Sequence, residues 1–205
     1  MEVQSNIKNK TLVSKRRQQI IDAASKLFFE KGFDQTTMRE ISHASGLTMG
    51  SLYDYVRSKD DILVLVYKDV VQKFRMALGE KNGQSWTTDP ENLEPVLRGI
   101  MRKMYELSKA VQLLYRESWT RRKEVHLQMR EIDRHEVEAL KELLLRGQES
   151  GIFELLNPAA TADLILVLMA LPALREWSLA NIKADKVIDT IVQFIMKGLS
   201  AKNGG

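Results

Sequence analysis

The sequence predicts an all-α fold of about nine helices, and three observations carry that prediction. Apolar residues recur three and four positions apart, as along Ile20, Ala24, Leu27 and Phe28, which is the spacing of one helical face. Clusters of β-branched residues and alternating apolar runs, which mark strands, are scarce. Helix-start patterns and glycine stops punctuate the periodic stretches.

The first helix is expected from Lys15 to Lys31, with Gly32 as the residue that ends it. Thr37-Met38-Arg39-Glu40 is a capping box, in which hydroxyl and carboxylate satisfy free amides at a helix start. The short second helix it opens ends at Gly46. Thr48 caps a third helix carrying Leu52, Tyr53 and Val56. Residues 37–56 thus read as helix, glycine turn and helix. Ser58-Lys59-Asp60-Asp61 opens a fourth helix, expected to reach about Glu80, with Ile62, Val66, Val70, Phe74 and Ala77 on one face.

Asn82 to Pro90 is rich in turn residues and reads as a loop. Periodicity resumes along Val96, Ile100, Met104, Leu107 and Val111. A charged amphipathic helix runs from about Arg121 to Ser150 and stops at Gly151. Asn157-Pro158 precedes two last helices, Ala159–Asn181, in which Pro172 is expected to cause a kink or break, and Ala184–Ser200.

Composition removes several classes of chemistry. The chain of 205 residues has no cysteine, so disulfides, thiolate catalysis and Cys-based zinc or iron–sulfur sites are out. His43, His126 and His135 fall in no metal-ligand spacing. No nucleophile elbow, P-loop or dinucleotide fingerprint is present. No metal, no cofactor and no enzymatic role are therefore expected. The longest apolar run, Leu164 to Leu171, is far short of the roughly 20 residues that span a bilayer. Met1 to Ser14 is polar and includes Lys8 and Lys10, unlike a secretion signal, so a cytoplasmic location is expected. Net charge is only +4, but Lys8, Lys10, Lys15, Arg16 and Arg17 face a single acid, Glu2, before residue 20.

The segment Thr36-Thr37-Met38-Arg39-Glu40-Ile41-Ser42-His43-Ala44-Ser45-Gly46-Leu47-Thr48-Met49-Gly50-Ser51-Leu52-Tyr53-Asp54-Tyr55-Val56-Arg57-Ser58-Lys59 resembles the DNA-binding signature of the TetR family of transcriptional regulators. Ala23-Ala24 to Phe28 with Lys31-Gly32-Phe33 resembles that family's first helix, so the likeness covers about residues 15–65. It implies a three-helix DNA-binding domain over residues 14–74, with the helix-turn-helix at 37–56, followed by a helical effector-binding and dimerisation domain over 75–200. A short helix held at a fixed angle can enter the major groove, where base edges present a unique donor and acceptor pattern. The family pattern places Arg39, Met49, Ser51 and Tyr53 where base edges are reached, and Gly50 where the backbone approaches closely. Thr37, Thr48, Tyr55 and Lys59 are implied phosphate contacts, with Arg16 and Arg17 in addition. Met49 offers only apolar contact, such as with a thymine methyl, which shifts readout towards Arg39. Leu47, Leu52, Ile41 and Phe28 read as core, and Tyr53 reads either as a base contact or as partly core.

In the C-terminal half, Leu164 to Leu171 is apolar around the whole helix, which implies burial on two sides. Either one side meets a partner subunit, joined by Val187, Ile191, Phe194 and Ile195, or the helix is central in a monomer. The family resemblance favours a homodimer through the last two helices, and a two-fold dimer suits a palindromic site. Tyr105, Tyr115, Trp119, His126, Met129 and Met169 are candidate lining residues of a mostly apolar ligand cavity, and each also fits ordinary core. Arg116, Arg121 and Arg122 read as an anchor for an anionic effector or as a solvated face.

The functional expectation is a repressor that binds a palindromic operator in double-stranded DNA as a dimer. A small hydrophobic effector, such as an acyl- or aryl-CoA, would release it. The alternatives are a ligand-independent architectural DNA-binding protein, and an all-α enzyme whose N-terminal motif misleads.

Overall fold

The computed structural model describes residues 10–77, 89–120 and 123–200, and among them it has ten α-helices and no strand. They are α1 (Lys10–Lys31), α2 (Met38–Ser45), α3 (Met49–Tyr53), α4 (Lys59–Ala77), α5 (Leu93–Glu106), α6 (Ser108–Thr120), α7 (Lys123–Glu149), α8 (Pro158–Leu174), α9 (Glu176–Leu179) and α10 (Ala184–Leu199). One 3-10 turn, Pro90–Asn92, precedes α5. The expected end of the fourth helix near Glu80 and most of the loop from Asn82 lie outside the described residues.

The sequence's start and stop signals operate as local chemistry requires. Asn157 accepts a hydrogen bond from the Ala160 amide at 3.0 Å, with Pro158 as first residue of α8. Ser58 accepts from the Asp61 amide at 3.0 Å, and Asp61 in turn accepts from the Arg57 amide at 2.9 Å. These bonds satisfy amides that the first turn of a helix leaves open.

Four elements depart from the sequence pattern: α1 begins at Lys10, five residues before the expected Lys15, α3 ends at Tyr53, short of Val56, and two further changes lie in the second half of the chain. The periodic run from Val96 to Val111 divides into α5 and α6 at Leu107, whose φ of −103° and ψ of 17° leave the helical region. No glycine or proline marks that break. The buried face of α5 is Leu93, Leu97, Ile100 and Met101, while Val96 and Met104 are only half-buried. The expected helix to Asn181 ends at Leu174 instead, two residues beyond Pro172. Proline has no amide hydrogen for the carbonyl four residues back, so the last turn is weakened there. The four-residue α9 follows.

The chain divides into two compact units, one of residues up to 71 with 112–131 and the other of residues 72–111 with 132 onward. In the first, Ile20, Ala24 and Phe28 of α1 are buried with Ile41 of α2, Leu52 of α3 and Ile62, Leu63 and Val66 of α4. In the second, one core joins Leu97 and Met101 of α5, Leu140, Leu143 and Leu144 of α7, Ile165 and Met169 of α8, and Val187, Ile191, Val192 and Ile195 of α10. Arg98 bridges α5 and α10 by pairing with Asp189 while also holding Glu94. Between α7 and α8, Phe153 fills the space left by Gly147, and the Glu154 amide bonds to the Leu199 carbonyl at 3.0 Å.

Candidate nucleic-acid interface

The interface is built from the connector at 32–37, the short helix α2, the turn at 46–47 and the five-residue helix α3. A five-residue helix cannot hold its own shape, because nucleation costs more than so few hydrogen bonds return. Its neighbours must fix it. Thr48 caps it, accepting from the Ser51 amide at 3.2 Å, and Leu52 anchors it in the core at 0% exposure. The preceding turn is closed by Gly46, whose φ of +69° is costly for other residues, and by a buried hydroxyl. That hydroxyl belongs to Ser42, which donates to the Leu47 carbonyl at 2.6 Å while the Leu47 amide bonds to the Ser42 carbonyl at 3.1 Å.

The other end of α2 carries the full capping box. Thr37 accepts from the Glu40 amide at 3.2 Å, and the Glu40 carboxylate accepts from the Thr37 amide at 2.8 Å and hydroxyl at 2.9 Å. Lys31, the last residue of α1, also pairs with Glu40. The Lys31 contact and then the two Thr37 bonds lower the Glu40 pKa to about 2. Glu40 thus ties the end of α1 to the start of α2. The connector between them is further held by Lys59 at the start of α4. Its ammonium donates to the carbonyls of Phe33 at 2.7 Å, Asp34 at 3.1 Å and Thr36 at 2.7 Å, and lies 4.5 Å from the centre of the Phe33 ring.

Of the expected base-contacting residues, Arg39 and Gly50 are exposed, Tyr53 is 46% exposed, and Met49 and Ser51 are half-buried. An added Cβ at Gly50 meets nothing within 4 Å, so packing inside the chain does not require a glycine there. Among the implied phosphate contacts, Thr48 is exposed, whereas Tyr55 is buried at 3% exposure. Thr37 and Lys59 direct their donors into the protein as described. Arg16 is half-buried and donates to Gln19 at 2.9 Å, and Arg17 is half-buried. His43, one turn along α2 from Arg39, is exposed on the same face. The i, i+4 spacing from Arg39 was the signal that could have drawn attention to it.

The candidate effector residues divide between the two units. Met169 is buried in the core of the second unit, and Tyr105 packs against that core half-buried, its pKa raised by burial. Tyr115, His126 and Met129 belong to the first unit, the first two half-buried and Met129 buried. The side chains of Trp119, Arg121 and Arg122 lie outside the described residues. Arg116 is exposed and bonded to Glu117 at 3.0 Å.

Residues 20–66 match the family described as bacterial regulatory proteins, tetR family. The chain thus carries a TetR-type DNA-binding region at residues 20–66. Its TetR-type head is 40% identical over 76 residues to the HTH-type transcriptional regulator HbdR of Aromatoleum sp. (strain CIB), covering 37% of this chain and 33% of that protein. The chain thus matches about a third of the length of that relative. A longer similarity, 28% over 136 residues, covers 65% of this chain and 68% of the fatty acid metabolism regulator protein of Bacillus subtilis (strain 168). The fold is shared with the crystal structure of FadR from Bacillus subtilis in complex with stearoyl-CoA, at a TM-score of 0.70 and 23% identity over 89% of this chain and 98% of that one. No described helix is long and apolar enough to cross a membrane.

Proposed function

We propose that this chain is a TetR-family repressor that binds a palindromic operator as a homodimer and is released by an acyl- or aryl-CoA effector. The observation that carries the DNA-binding part is the exposed start of α3: Thr48 and Gly50 stand free of core packing while Leu52, in the same helix, is fully buried. Such a helix presents a slim, rigid edge to the major groove. Arg39, Met49, Ser51 and Tyr53 read bases, Gly50 lets the backbone approach, and the Thr48 hydroxyl and the amides at the start of α3 meet phosphate. The head spans residues 14–74, and residues 75–200 bind effector and partner.

Dimerisation is supported by the apolar residues left exposed on the last long helices. Leu164 at 63% and Val167 at 52% on α8, with Phe194 at 68% on α10, remain outside the core that buries Ile165, Met169 and Ile191. Of the residues expected to join a partner-facing surface, Val187, Ile191 and Ile195 lie in the core and Phe194 is exposed. The acyl-CoA class is supported by the fatty acid regulator among the relatives and by the ligand in the FadR structure. Met169 and Tyr105, both in the second unit, are its proposed contacts. Effector and operator affinities are then linked, each lowering the other by the same factor.

Binding of the purified protein to a genomic fragment library at near-physiological salt, with sequencing of retained fragments, tests this function. Enrichment of one palindrome with half-sites about one helical turn apart is expected. Retention of fragments with no common sequence indicates purely electrostatic binding and an architectural role. Saturating acyl-CoA that leaves affinity for the enriched palindrome unchanged overturns the effector assignment.

A further inference from the structure

The geometry points to Lys59 as a positioning residue that fixes the α1–α2 connector through a carbonyl cage, rather than as a phosphate contact. An ammonium has three donors, and all three have a carbonyl acceptor, on Phe33, Asp34 and Thr36, within 3.1 Å. The Phe33 ring lies 4.5 Å from the same nitrogen, adding the attraction of a cation to an aromatic face. That ring is itself fixed, 3% exposed and 5.0 Å from the ring of Phe28.

The position of Lys59 sharpens the inference. It is the first residue of α4, where the helix dipole disfavours a cation. The carbonyls of the connector offset that cost and are themselves satisfied, since a loop has no ladder to receive them. The contacts bridge 23 to 26 residues of sequence, so they tie α4 to the entrance of α2. Glu40 holds the same connector from the α2 side through Thr37 and Lys31. With both ties in place, the angle at which α2 and α3 leave α1 is set before DNA arrives, and ordering costs on binding fall.

Lysine and arginine separate the two roles. A guanidinium meets phosphate at least as well as an ammonium does, with two parallel bonds. Its planar fork cannot aim three donors at carbonyls that converge on one point. Lys59→Arg in the full-length protein is therefore expected to lose operator affinity about ten-fold or more with the salt slope unchanged, whereas removing one phosphate contact per subunit with Lys59→Met would lower the slope of the dimer by about 1.8. Both variants are expected to exchange the amide hydrogens of residues 36–41 at least about ten-fold faster, with those of α10 unaltered.

The DNA arm rests on the proposed operator binding, and a second measurement does not. In the unmodified protein without DNA, the Lys59 ammonium protons are expected to exchange with water far more slowly than those of exposed Lys15. Nitrogen-detected NMR on ¹⁵N-lysine protein reads this directly. Exchange of Lys59 as fast as that of Lys15, or Lys59→Arg with full affinity and unaltered amide protection, overturns the cage. If the unmodified protein enriches no DNA at all, the operator reading fails, and the ammonium measurement still decides the role of Lys59.

Discussion

Replacing Gly147 by alanine isolates the packing that closes the α7–α8 turn. A Cβ there falls 2.1 Å from Cδ2, 2.4 Å from Cε2 and 3.0 Å from Cγ of Phe153, against the roughly 3.5–4.0 Å of ordinary carbon contact. The ring has to retreat by about 1.5 Å to restore that contact, and its surroundings resist. Phe153 is 4% exposed, and its amide and that of Ile152 both bond to the Gly147 carbonyl, at 3.0 and 2.8 Å. The next amide, of Glu154, is fixed to the end of α10. Overpacking of this kind costs about 1–3 kcal/mol, and complete expulsion of a core phenylalanine sets an upper bound of about 3–5 kcal/mol. Alanine recovers about 1 kcal/mol of helix propensity, so a net loss of about 0–2 kcal/mol is expected when the ring yields only in part. For a chain of this size each kcal/mol lowers Tm by about 2–4 °C. Thermal denaturation at one fixed protein concentration measures it, with Gly99→Ala in α5 as the matched control. An added Cβ at Gly99 meets nothing within 4 Å, so that variant gains about 0.5–1 kcal/mol. Equal stability of the two alanine variants would refute the reasoning, because it would mean that the Phe153 ring has room to move.

Three further outcomes are expected. Arg39→Ala relaxes discrimination at one base pair in each half-site, by about 1–3 kcal/mol for a bidentate base contact, as read by binding to a panel of single-base operator variants; a uniform loss across the panel would assign Arg39 to phosphate. Phe194→Ala removes an aromatic side chain that is 68% exposed in the single chain. Burying that fraction on both sides of a two-fold contributes about 2–4 kcal/mol, so sedimentation should show a dimer weakened about thirty-fold to a thousand-fold, and an unchanged dimer constant would place the interface elsewhere. Glu40→Gln destabilises the protein at neutral pH, and its difference from the unmodified chain shrinks with acid. Because the folded pKa of about 2 lies below the ordinary value of 4.5, the contribution is complete above pH 4.5 and is lost as pH falls towards 2. A difference that stays constant down to pH 2 would mean that the carboxylate charge is not what holds the box.

Local signals were legible where the chemistry is local. The Thr37 and Glu40 box, the Thr48 cap and the glycine at 46 each act within four residues, and sequence spacing names them without knowledge of the fold. The burial of Phe28, Ile41 and Leu52 follows from the same periodicity. What sequence could not show depends on distant parts of the chain. The Lys59 cage uses carbonyls, which every residue has, so no side-chain pattern marks it. Tyr55 falls just past the last residue of α3, where helical register no longer predicts direction, and it turns inward. The break at Leu107 has no turn residue, so no local signal in the sequence marks it. The stripe of α8 residues was legible as apolar on all sides, but only the structure separates buried Ile165 and Met169 from exposed Leu164 and Val167.

The placement of the head's polar groups makes orientation and readout separable. Thr37, Glu40, Ser42 and Lys59 direct their hydrogen bonds into the protein, and none of those bonds distinguishes one base from another. Arg39, Gly50 and Tyr53 are exposed and hold nothing in place by a side-chain bond to the connector or the turn. A substitution in the first group changes how well α3 is held, so it scales affinity for every operator alike. A substitution in the second group leaves α3 held and changes which operator is preferred. The short α3 makes this division necessary, since five residues cannot supply both their own rigidity and a recognition surface. It follows that altered operator preference should be reachable through Arg39, Met49, Ser51 and Tyr53 with little loss of folding stability, because none of these four is buried and surface changes of this kind usually stay within about 0.5 kcal/mol.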